Sequence, residues 1–140
     1  MTNEQKLDKA KNLLIGPLKK FMPKLQLAVL GDLLRGEERY HFADMLIALA
    51  ERIEKMPVSY QTDGQGDNAI VHLHYFVGGN DWWITEKDMD GEVDQAFGLA
   101  SLNGYAELGY ISIRELAESA FGIELDLHWT PKTLKEVRKC

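Results

Sequence analysis

The sequence predicts an α+β fold, with N-terminal helices packed on a mostly antiparallel β-sheet and short C-terminal helices. Three observations carry this prediction. Apolar residues recur at helical spacing as far as Pro57, and after Asn68 the period changes from 3.6 to 2. Helices come first and strands afterwards, instead of alternating as in a doubly wound fold.

In the first helix, over 4–14, Leu7, Ala10 and Leu14 share a face, and Gly16-Pro17 ends it because proline cannot donate to the helical ladder. Pro23 suits a helix start, and Leu27, Leu30 and Leu34 line the second helix up to Gly36. The third has the clearest stripe, with Phe42, Met45, Leu46, Leu49 and Ile53 on one side and Pro57 beyond its end. Residues 58–68, rich in Gly, Asp and Asn, read as a loop.

Strands are expected at Ala69–Phe76, Trp82–Thr85, Ala96–Leu102 and Glu107–Ile111, with turns at Gly78–Asp81 and Asn103-Gly104 and an acidic loop over Asp88–Asp94. Ser112-Ile113-Arg114-Glu115 fits a capping box opening a short helix through Ala120, which Gly122 ends. Ile123–Trp129 alternates as a strand, and Thr133–Glu136 repeats the capping pattern before a frayed final turn. The organisation is a helical segment, 1–57, and a β-rich segment, 58–140, forming one unit.

Net charge is −6 over 140 residues, unevenly spread. Residues 1–57 hold ten Lys/Arg and eight Asp/Glu, and residues 58–140 hold six and fourteen. Between Ser59 and His128 only Lys87 and Arg114 oppose thirteen acids, so phosphate is repelled and nucleic-acid binding through this segment is disfavoured. No apolar run approaches the length of a membrane span, and the polar first residues carry no secretory pattern. The single cysteine, Cys140, makes no internal disulfide and lacks the three following residues of a prenylation box, which fits a cytoplasmic protein.

Several segments in fixed order then become informative: AIVHLHYF (69–76), WWITE (82–86), AFGL (96–99), AELGYISIREL (106–116) and GIELDLHW (122–129), followed by Pro131 and Thr133-Leu134. Over about 60–137 the chain resembles an uncharacterised bacterial family, domain of unknown function 2958. It departs from that family at Leu125, where members usually carry arginine between the two acids. The resemblance implies an accessory protein of a mobile element such as a plasmid, without an established activity, and leaves 1–57 outside the shared core.

Candidate sites follow from residue chemistry. His72 and His74, two apart on one expected strand, project from the same face and, with His128 and the carboxylates Glu86 and Asp126, contain the donor types of a transition-metal site. Asp88, Asp90, Glu92 and Asp94 lack the glycine and glutamate spacing of a calcium loop and read as a surface that attracts a basic partner. Trp82 and Trp83 point to opposite faces, one into the core and one half-exposed as an interface anchor. Glu86 and Glu107 sit beside aromatic or apolar residues in family motifs, as proton-transfer groups or as strand-end carboxylates bonded to backbone. No phosphate-binding or nucleophile motif appears, no cofactor is expected, and Cys140 is a poor nucleophile. The leading reading is a non-enzymatic acidic protein that binds a basic protein partner, countering host defence or acting on nucleic-acid machinery. The alternatives are a small metal-dependent or hydrolytic enzyme using His72, His74 and a carboxylate, and a scaffold that dimerises through its helical segment.

Overall fold

The computed structural model describes residues 1–139, and Cys140 lies outside the described residues. Three helices open the chain: α1 (Asn3–Ile15), α2 (Lys24–Leu33) and α3 (Arg39–Lys55), with a single 3-10 turn at Lys19–Phe21. Helix α1 starts on a reciprocal cap, in which the Thr2 hydroxyl accepts from the Gln5 amide and the Gln5 side chain accepts from the Thr2 amide. On α3 the buried set is Ala43, Leu46, Leu49 and Ile53, which recur at i, i+3, i+6 and i+10 and so form one stripe.

After a 3-10 turn at Gly66–Asn68 come β1 (Ile70–Val71), β2 (Leu73–Val77), β3 (Asn80–Glu86), β4 (Ala96–Leu102), β5 (Tyr105–Ile111), α4 (Ile113–Glu118), β6 (Glu124–Leu125), β7 (Lys132–Thr133) and α5 (Leu134–Arg138). Five strands form an antiparallel sheet in the order β5-β4-β3-β2-β6, and β1 pairs with β7 separately. One isolated parallel bridge joins Val58 to Lys87. The fold is therefore α+β, as the order of periodicities predicts.

The helices cover one face of the sheet. Leu73, Tyr75, Ile84, Ala96, Ile111 and Leu125 pack into a single core with Leu14, Leu18, Phe21, Leu30, Leu46 and Leu49. Tyr75 is fully buried and its hydroxyl donates to the Phe21 carbonyl at 2.6 Å, tying sheet to helical layer. The opposite face carries a smaller cluster of Ala69, Val71, Leu99, Leu134 and Val137.

The strand expected over Ala69–Phe76 is broken at His72: Val71 pairs with Lys132, while Leu73 pairs with Ile84. The strand expected over Ile123–Trp129 survives only at Glu124–Leu125, because the Asp126 carboxylate accepts from the His128 amide at 2.9 Å and turns the chain. Its burial still alternates, with Ile123 and Leu125 buried and Glu124 exposed. Helix α4 stops at Glu118, two residues short of the expected end, and the Ser112 hydroxyl caps it through the Glu115 amide. The final turn is not frayed: Leu134 and Val137 are buried, and Thr133 and Glu136 cap each other.

Gly98 explains why the AFGL segment needs a glycine. The β3–β4 register shifts between Ile84 and Glu86, and a Cβ on Gly98 would sit 2.0 Å from the Trp83 carbonyl oxygen. Any side chain there collides with backbone.

Candidate functional site

His74 is held on both of its ring nitrogens. Its Nε2 lies 2.7 Å from Asp81 and its Nδ1 2.9 Å from Asp126. Ionised carboxylates only accept, so both contacts form together when both ring nitrogens carry a proton. The ring stacks 5.6 Å from Trp83 at 9° and packs 5.0 Å from Trp129, whose indole N–H donates to the Val71 carbonyl. His74 thereby fastens β2 to β3 and to the turn after β6.

His72 lies in the break between β1 and β2, with its amide bonded to the Ile84 carbonyl. Burial pushes its imidazole below the ordinary histidine value, and the Arg52 charge lowers it further. His128 is exposed. Among the described residues no three His, Cys, Asp or Glu side chains are grouped to hold a metal ion, so the fold does not gather His72, His74 and His128 into one ligand set.

Glu86 is buried and holds a loop. It accepts from the amides of Tyr60 at 3.0 Å and Thr62 at 2.9 Å, and from the Thr62 hydroxyl. This is the backbone-bonded carboxylate of the two alternatives the sequence offers, whereas Glu107 is exposed on β5. Trp82 packs on the helical side of the sheet and Trp83 on the other, both half-buried.

The acidic loop is partly occupied with its own structure. Asp88 accepts from the amides of Asp90 and Gln95, and Asp94 makes a two-point pair with Arg114. Val93 is buried, and its carbonyl accepts from the Ile113 amide at 2.7 Å. Glu92 lies 3.8 Å from Arg114. Four acids close in sequence are therefore not four free charges.

A groove of about 740 Å³ runs between α2 and residues 117–124. Its floor is apolar, with Leu30, Leu33, Phe42, Ile123 and Leu127, while Glu118 and Glu124 stand on one rim and Lys24 on the other. Leu25 and Val29 on α2 are exposed, as is Phe121 next to the groove.

The family model for a protein of unknown function (DUF2958) matches residues 42–134, about two thirds of the chain. The chain belongs to the DUF2958 family. No curated protein and no solved structure matches it. The DUF2958 match begins at Phe42, so the shared core takes in nearly all of α3 and is not confined to residues after 57. Helix α3 supplies Leu46, Leu49 and Ile53 to the core beneath the sheet. His74, Asp81, Asp126, Glu86 and Gly98 all fall inside the match, whereas α2 lies before it.

The groove was missed by sequence reasoning, though a signal existed. Leu25 and Val29 are four residues apart and off the Leu27, Leu30 and Leu34 stripe, an apolar pair left over on the far side of α2. Asp81 lies in β3 and not in the turn expected over Gly78–Asp81, and its contact with His74 depends on the Phe76–Asp81 register.

Proposed function

We propose that this DUF2958 protein is a non-enzymatic interaction module that docks a basic, amphipathic protein segment in the groove between α2 and residues 117–124. The observation that carries this reading is an apolar floor edged by Glu118 and Glu124 and flanked by exposed Leu25, Val29 and Phe121. A helix with one apolar face and a cationic border would bury its apolar side chains on Leu30, Leu33 and Leu127 and meet the two carboxylates. The acid-rich β segment would steer such a partner over longer range. An accessory role on a bacterial mobile element, as the family resemblance implies, in the cytoplasm that the lone cysteine fits, would bring it near cationic nucleic-acid machinery and host defence proteins.

The test is photo-crosslinking in the native host with a benzophenone amino acid at Phe121, followed by identification and purification of the captured protein. Expected is a basic partner whose affinity falls with salt and weakens in the Glu118→Lys/Glu124→Lys variant. A captured protein that binds that variant with unchanged affinity at low and high salt would remove the basis of the proposal.

A further inference from the structure

The two edges of the five-stranded sheet are treated differently. At the β6 edge the Gln26 side chain acts as a short strand: its amide nitrogen donates to the Leu125 carbonyl at 2.7 Å and its oxygen accepts from the Leu125 amide at 2.9 Å. That edge is also only two residues long. The β5 edge has seven residues, unbroken register with β4, and no lysine, arginine or proline. These are the devices that normally keep an open edge from pairing, and of them β5 carries only one charged side chain, Glu107.

The exposed side chains on β5 are large and mostly apolar: Tyr105 is 80% exposed, Tyr110 58% and Leu108 47%. Leu102 and Tyr105 close the Asn103-Gly104 turn, and hydrogen-bonded pairs alternate from there. That alternation turns the backbone N–H and C=O of Ala106, Leu108 and Tyr110 away from β4, toward solvent.

We propose that two copies of this chain pair antiparallel through β5 about a two-fold axis at Leu108, making one continuous ten-stranded sheet. The strand sequence is complementary to itself in this register. Tyr105 falls opposite Ile111, Ala106 opposite Tyr110, and Leu108 opposite its own copy, while Glu107, the single charge of the strand, faces Gly109. A register centred on Glu107 would instead set two carboxylates against each other, which cross-strand pairing disfavours. The outward backbone groups of Ala106, Leu108 and Tyr110 meet the same groups of the second copy, as antiparallel pairing requires. This surface contains none of the residues lining the groove, so it stands independently of the docking proposal.

Sedimentation velocity over a concentration series tests it, with far-UV circular dichroism as a folding control. Wild type should dimerise, and more strongly with added salt, because two chains of charge −6 repel. Leu108→Lys places like charges at the axis and should weaken dimerisation about tenfold or more while leaving the spectrum unchanged. In a Cys140→Ser background, Leu108→Cys should form a disulfide-linked dimer under mild oxidation. A wild-type chain that stays monomeric at every concentration overturns the proposal, as does a dimer that survives Leu108→Lys and leaves Cys at 108 unlinked.

Discussion

Glu86 and Thr62, 24 positions apart, are joined twice: the Glu86 carboxylate accepts from both the backbone amide and the hydroxyl of Thr62. With the Tyr60 amide as a third donor, one buried side chain at the end of β3 sets the path of the connection between helices and sheet.

Replacing Glu86 by alanine leaves two amides without their acceptor, at a cost of about 2–3 kcal/mol. Glu86→Gln keeps one oxygen acceptor and should fall between wild type and alanine. Chemical denaturation measures the loss, and limited proteolysis should show the first cut moving into 58–68 in Glu86→Ala. Equal stability of wild type and Glu86→Ala would mean that the loop is held by something else.

Gly98→Ala should destabilise the sheet by about 1–3 kcal/mol, because the new methyl meets the rigid Trp83 carbonyl, not the end of a flexible side chain. Gly79→Ala is the control, since nothing lies within 4 Å of a Cβ there and its φ lies outside the left-handed region. Thermal melting of the two variants should separate them clearly, with Gly98→Ala the lower. Similar midpoints would argue that the β3–β4 irregularity relaxes freely.

His72 makes stability depend on mild acid. Its folded-state value lies below the ordinary one through burial and the nearby Arg52 charge, so the unfolded chain binds the proton more readily. The contribution is fully present above the unfolded value near about 6.5 and is lost progressively as pH falls below it. Denaturation midpoints measured from neutral pH into mild acid should decline less steeply in His72→Gln than in wild type. An identical slope in the two proteins would count against a half-buried, neutral His72.

How much was legible beforehand varied with the range of the interaction involved. Helix stripes and the Thr133–Glu136 cap depend on residues within a few positions of one another, and these appeared where expected, whereas the alternating Ile123–Trp129 strand did not extend beyond Leu125. The break at His72 was not legible, because it arises when Val71 and Leu73 take different partners, at Lys132 and Ile84. The acidic loop likewise looked like free charge until Arg114, twenty residues from Asp94, was brought against it.

By itself, then, the sequence determined the α+β class, the helical and strand-forming segments, the surplus of acid after Ser59 and the family motifs, all properties of composition and short-range spacing. Tertiary structure alone decided which polar groups meet and which surfaces stay open. His74 lies between Asp81 and Asp126, Gln26 closes the β6 edge, and β5 keeps an open one. Contacts between residues tens of positions apart depend on strand order and register, and these are set by how the whole core packs, beyond the reach of local pattern.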